Sequence, residues 1–185
     1  MIKFRFRSED NKDILVNAPE RWEEVTVDTF CNPAFLSRDS LSMLSALSGI
    51  DRPTLLNSTA DITPQLLKMV AFISTNPEGF SLNKKPKKFT LMGKECQVPI
   101  DIELERVGQK IMFQDSLVKH KFIYQGIPEA MAIYLIPELN DGKFDDAMIP
   151  EVSEEIRKLR IVDVFPIANF FLSSYKRLVK NGKLY

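Results

Sequence analysis

One histidine among 185 residues leaves almost no room for imidazole chemistry. A catalytic triad or a His-based metal centre needs that ring beside a carboxylate or beside further ligands. His120 instead stands in Lys119-His120-Lys121, where two cations disfavour its protonated form. It reads as an exposed residue at a helix end. Two cysteines, Cys31 and Cys96, are too few for a disulfide scaffold and read as reduced, small, buried hydrophobes. The seven glycines are scattered, and neither GxGxxG nor GxxxxGK[ST] occurs, so no phosphate-cradling loop is expected. No serine lies in GxSxG. Long apolar runs are missing too. The longest, 161–172, is broken by Asp163, Pro166 and Asn169, and a membrane span needs about 20 apolar residues. The opening Met1-Ile2-Lys3-Phe4-Arg5-Phe6-Arg7 alternates charge with apolar side chains, which a signal peptide does not. Charge of either sign is not in excess: 25 basic and 25 acidic residues cancel, where a general nucleic-acid binder carries a basic surplus.

The carboxylates offer no clearer chemistry. In Asn140-Asp141-Gly142-Lys143-Phe144-Asp145-Asp146, setting Gly142 at the sixth position of a calcium loop puts Pro137 first and Met148 twelfth. Neither side chain can ligate the cation. Glu103 with Glu105, and Glu154 with Glu155, read as solvated helix faces. The run Lys84-Lys85-Pro86-Lys87-Lys88 has no aromatic residue interleaved and reads as a linker rather than a nucleic-acid contact. The expectation is a chain with no catalytic residue, no metal and no cofactor, and hence not an enzyme.

What is present is an ordinary soluble balance, 44% hydrophobic and 27% charged, at a length that fits a single compact domain over 1–185. Residues 2–7 alternate as a half-buried strand; Ser8 to Lys12 is turn chemistry, and Ile14-Leu15-Val16 resumes as a second strand. Thr26 is placed to cap a helix ended by Pro33, and Ser40 to cap one ended by Gly49. Ile50 to Pro53 reads as a turn. Thr63-Pro64 opens a helix with the stripe Leu66, Leu67, Val70 and Ile73, stopped by Asn76 to Gly79. A Gly93-Lys94 connection predicts a second hairpin. Helices are expected over 103–117, with Leu104, Val107, Ile111 and Leu117 inward, and over 127–137. Two more are expected, one started by Ser153 and a last one capped by Asp163 with its stop at Gly182. The fold class is therefore α+β, helix-dominated, with two short β-hairpins each followed by helices.

Pro19 and Pro99 end the two hairpins, and Val27 and Val107 each follow eight residues later, so both pairs are offset by 80. This suggests pseudo-repeat halves, 1–83 and 84–185. Charge is zoned: residues 122–155 hold eight acidic and one basic side chain, and residues 156–185 hold seven basic and one acidic. Surfaces of opposite sign steer association between subunits.

Several short segments resemble a known family. They are Trp22-Glu-Glu-Val-Thr-Val-Asp-Thr-Phe30, the turn Ser48-Gly49-Ile50-Asp51, Val107-Gly108-Gln109-Lys110-Ile111, Ile133-Tyr134-Leu135-Ile136-Pro137 and Gly142-Lys143-Phe144-Asp145. The last is Phe165-Pro166-Ile167-Ala168-Asn169-Phe170-Phe171-Leu172. Together they are similar to the tail assembly chaperones of long-tailed bacteriophages. The resemblance implies a non-enzymatic morphogenesis protein of the host-cell cytoplasm that shields the tape-measure protein and recruits tail-tube subunits. The alternatives are a structural virion component (neck, baseplate or capsid-associated) and a small effector that binds a host protein. All three imply protein partners in a homo-oligomer or hetero-complex, with no nucleic acid and no membrane.

Such contacts draw on apolar anchors. Phe170 and Phe171 point about 100° apart on a helix, and Phe170, Phe171 and Tyr175 are followed by Lys176, Arg177, Lys180 and Lys183. These residues, apart from Lys183, form the expected protein interface. Trp22, Phe30, Leu44, Leu47, Val70, Ile73, Val107, Ile111, Ile133, Tyr134, Phe165, Phe170 and Phe171 are expected to be mostly buried.

Overall fold

The computed structural model describes residues 1–7, 13–37, 39–58, 64, 67–68, 71–74, 85–98 and 107–180, without the side chains of Ile2, Phe4, Phe6, Arg7, Ser74, Leu178, Val179 and Lys180. The turn at Ser8 to Lys12, the helix residues Leu66, Val70 and Leu104, the stops at Asn76 to Gly79 and Gly182, Glu103, Glu105 and Lys183 lie outside the described residues. The fold is α+β and helix-dominated, and it divides into two compact units, Met1–Pro77 and Glu78–Tyr185.

The first unit opens with β1 (Ile2–Arg7) and β2 (Asp13–Ala18), paired antiparallel with Phe4 opposite Val16. Val16 and Ala18 are buried, and Leu15 between them is exposed, as the two-residue period of a strand requires. A 3-10 turn, Trp22–Glu24, sets Trp22 over an aromatic cluster. Phe30, Phe35 and Phe72 meet its ring edge-on at centroid separations of 6.4, 6.3 and 5.4 Å. Such edge-to-face pairs add about 0.5–1.5 kcal/mol each beyond the area they bury. The Thr26 hydroxyl accepts from the Thr29 amide and caps α1 (Val27–Cys31). Asn32 caps α2 (Pro33–Leu36), with Pro33 at its first position.

Two boundaries in the first unit differ from the sequence expectation. The cap of α3 (Ser40–Ser48) is Asp39, whose carboxylate accepts from both the amide and the hydroxyl of Ser42. Residues 50–53 are not a simple turn. Asp51 caps a further helix, α4 (Arg52–Leu56), in which Pro53 occupies the first turn. The Ser48-Gly49-Ile50-Asp51 segment is thus a helix–helix corner, with Gly49 closing α3 and Asp51 opening α4.

The second unit also opens with a hairpin, β3 (Lys88–Leu91) and β4 (Lys94–Gln97). Its turn is Met92-Gly93 rather than Gly93-Lys94. Both turn residues have positive φ, 51° and 75°, the two-residue turn that suits the strand twist. Cys96 and Val98 are buried, and they lie 80 residues after the buried Val16 and Ala18. α5 (Val107–Val118) and α1 also begin at the two valines that are 80 apart. The parallel ends there, since Val27 is buried and Val107 is 76% exposed.

α6 (Ile127–Leu139) is buried on nearly every side, the mark of a central helix. α5, β4, α7 (Ile149–Lys158) and α8 (Ile161–Lys180) pack around it. Ser153 does not start α7 but lies in its buried face beside Val152 and Ile156; Pro150 in the first turn starts the helix four residues earlier than expected. Asp163 is inside the first turn of α8, bonded to Arg160 at 2.7 Å, rather than its cap.

Two contacts fix α5 on α6. Pro137 has no N–H, so the Ile133 carbonyl loses its helical donor. The buried Gln109 side chain on α5 donates to that carbonyl at 2.8 Å. At the other end, a Cβ on Gly126 would stand 2.2 Å from the Ser116 backbone oxygen, so only glycine allows this approach.

Gly126→Ala should therefore destabilise the chain by about 1–3 kcal/mol or more in urea unfolding, as overpacking against rigid backbone does. Gln109→Met should cost about 1–3 kcal/mol by orphaning the Ile133 carbonyl. In a Pro137→Ala background the restored residue-137 amide reaches that carbonyl, and a double-mutant cycle should show the cost of Gln109→Met shrinking.

Candidate protein-docking site

α5 turns Gln109, Phe113, Ser116 and Leu117 inward. The helical period then carries the opposite face outward, and that face is apolar. Val107 is 76%, Ile111 51% and Val118 70% exposed. Val107 and Ile111 were expected in the core, and the structure places both on the surface. The physical reason is the Gln109 bond to the carbonyl freed by Pro137. That bond sets the rotation of α5 by a polar contact that hydrophobic periodicity does not register.

Beside this face lies a groove of about 290 Å³ between α5, α6 and the start of α7. Met112, Ile133, Ile149 and Pro150 supply apolar lining, and Asp115, Glu129 and Asp146 supply carboxylates. Lys119 also borders it and is ion-paired to Glu129. The Ser116 hydroxyl donates to the Phe113 carbonyl. Asp115 belongs to both the groove and the exposed surface of α5, so face and groove adjoin. This arrangement can take an apolar side chain with a cation beside it.

The reactive side chains are elsewhere. Cys31 and Cys96 are buried free thiols. Burial pushes the Cys96 thiol up from its ordinary pKa, and the charge of Glu138 adds to that, so it stays protonated and unreactive. His120 is half-buried rather than exposed. Burial, and then the charge of Lys119, lower its pKa. Among the described residues no group of three or more His, Cys, Asp or Glu side chains is placed to hold a metal ion. No helix among them is long and apolar enough to cross a membrane.

The residues expected as an interface on α8 fall into two sets. Phe171 is 1% exposed, its ring 4.6 Å from that of Tyr134. Tyr175 is half-buried, edge-on to Phe113 at 5.7 Å. Phe170 is half-buried beneath the Lys85 ammonium, 3.8 Å from the ring centre. Lys176 and Arg177 are exposed, and the side chain of Lys180 lies outside the described residues. The aromatic members therefore pack within their own unit, and two cations remain at the surface. Of the other residues expected to be buried, Trp22, Phe30, Leu44, Leu47 and Ile133 are buried. Ile73, Tyr134 and Phe165 are half-buried.

Sequence reasoning missed Val118 and the groove. The 4–3–4 spacing of 107, 111, 114 and 118 was present as a signal. The stripe expected inward, Leu104, Val107, Ile111 and Leu117, shares only Val107 and Ile111 with it.

No protein-family model, curated protein or solved structure matches the chain.

Substitution should separate core from surface. Phe171→Ala should cost about 3–5 kcal/mol in urea unfolding. Ile111→Asp should change stability by no more than about 0.5 kcal/mol, while removing apolar surface from the docking face.

Proposed function

We propose that this chain is a non-enzymatic protein acting through protein–protein contacts, a bacteriophage morphogenesis factor of the tail-assembly chaperone kind. In this reading it works in the host cytoplasm on the tape-measure protein and is absent from the finished particle. The observation that carries the contact-making part is the outward apolar face of α5 beside a carboxylate-bordered groove. Exposed apolar patches on soluble proteins mark interaction sites more often than chance, and a helix face of this kind suits an amphipathic helical client. The phage assignment rests on the sequence resemblance, including the Ser48-Gly49-Ile50-Asp51 corner.

Co-expression with the tape-measure protein of the same genome tests it. The tape-measure protein should stay soluble with the wild-type chain and precipitate with the Ile111→Asp variant. Mass spectrometry of purified particles should find the chain missing; its presence at stoichiometric level would replace the chaperone reading with that of a virion component.

A further inference from the structure

We propose that the groove beside α5 receives a basic side chain, lysine or arginine, from one flank of the client helix that covers the α5 face. The proposal rests on the reading of α5 as a docking face and adds the charge pattern of the helix it takes. Three carboxylates and one ammonium border the groove, and the ammonium, that of Lys119, is already paired to Glu129. That leaves Asp115 on α5 and Asp146 in the turn before α7. No ion pair or hydrogen bond joins either carboxylate to another described residue. The remaining lining is mostly apolar: Met112, Ile149, Pro150 and the buried Ile133. A side chain that matches this pattern is aliphatic along its stem and cationic at its tip, as lysine and arginine are. A neutral apolar side chain would take water from two unpaired carboxylates and return nothing to them. An acidic one would add a third like charge. At about 290 Å³ the space is small for a free ligand and suits a side chain.

The helical period fixes where the basic residue stands on the client. Val107, Ile111 and Val118 fall within about 40° of arc, and Asp115 stands about 60° from their midline. Lys119 and Met112 follow on the same side, at about 100° and about 120°. The groove therefore opens along one flank of the apolar face. A helix laid on that face presents its own apolar stripe to Val107, Ile111 and Val118. A basic residue on the edge of that stripe then reaches past Asp115 into the groove. The client is thus an amphipathic helix whose apolar stripe is bordered by lysine or arginine on the groove side.

Two synthetic peptides test this. Each is about 20 residues long, enough for helix formation, and carries the same leucine stripe and a fluorescein label. One has arginine along one flank of the stripe, and the other has glutamine there. Fluorescence anisotropy follows their titration with the full chain from about 1 µM to about 1 mM. The arginine peptide should bind about tenfold tighter than the glutamine peptide. Asp115→Asn and Asp146→Asn, made singly, should each cut that preference about threefold or more and leave the glutamine peptide's affinity within about twofold. Both aspartates are exposed, so circular dichroism should show both variants folded. Glu151→Gln removes an exposed α7 carboxylate that does not line the groove, and it should leave the preference unchanged. Equal affinity for the two peptides, no binding of either, a preference kept by both asparagine variants, or an equal loss with Glu151→Gln would each overturn the proposal. Equal affinities that are both lost with Ile111→Asp would overturn the groove's role and leave the α5 docking face standing. A chain that prefers the arginine peptide but fails to keep the tape-measure protein soluble does the reverse for the chaperone reading: the groove's role stands and that reading falls.

Discussion

A single missing amide organises the second unit. Pro137 leaves the Ile133 carbonyl without a helical donor deep inside the central helix. An unmet carbonyl there costs about 1–3 kcal/mol, so the site demands a donor from a neighbouring element. Gln109 provides it, and in doing so it must lie on the buried side of α5. Once Gln109 faces inward, Phe113, Ser116 and Leu117 face inward with it, and Val107, Ile111 and Val118 are carried to the far side. The apolar outward face of α5 is thus in part the geometric complement of one buried polar contact. The C-terminal end of α6 is satisfied in a related way. The Lys94 ammonium on β4 donates to the Leu139 carbonyl at 2.7 Å and ties the hairpin to the same helix.

Much of the fold was legible in the sequence because it obeys local rules. Thr26 capping α1, Pro33 ending it, Gly49 closing α3 and both hairpins are decided within a few residues of each signal. The boundary errors are of the same local kind. Asp39 outcompeted Ser40 as a cap because a carboxylate accepts more strongly than a hydroxyl and here accepts twice from Ser42. Pro150 took the start of α7 from Ser153 because a proline at a first turn is already in helical geometry.

The candidate site was far less legible, for a different reason. Hydrophobic periodicity assumes that apolar residues choose the inward face. In α5 the inward face is chosen partly by Gln109 answering a proline 28 positions later in the chain. No window of 11–18 residues around α5 contains that information. The α8 aromatics failed in the opposite direction. One helix cannot bury Phe170 and Phe171 on one line, but α8 has partners on more than one side. Phe171 reaches Tyr134, Tyr175 reaches Phe113, and Lys85 covers Phe170. An angular separation of about 100° exposes one of two neighbouring rings on an isolated helix, but not on one clasped by neighbours.

α5 cannot relieve its exposed face by rolling. Gln109 holds its N-terminal half to Ile133, and the Gly126 backbone presses against Ser116 in its last turn. The two contacts share one antiparallel register, 109 with 133 and 116 with 126, and lie about 10 Å apart along the axis, two turns of helix. Rotation about the axis would lose both at once: the first loss orphans a buried carbonyl, and the second gives up the close approach of Gly126 to the Ser116 backbone. Nor can the exposed face be traded for helix stability. Valine and isoleucine are weaker helix formers than the alanine, lysine or glutamate that would serve an open surface. Val107, Ile111 and Val118 thus carry a small propensity cost and an apolar exposure cost in the free chain. Both costs fall on the same three residues, on one side of a helix whose orientation is locked, and a partner helix laid along that side removes the larger of them.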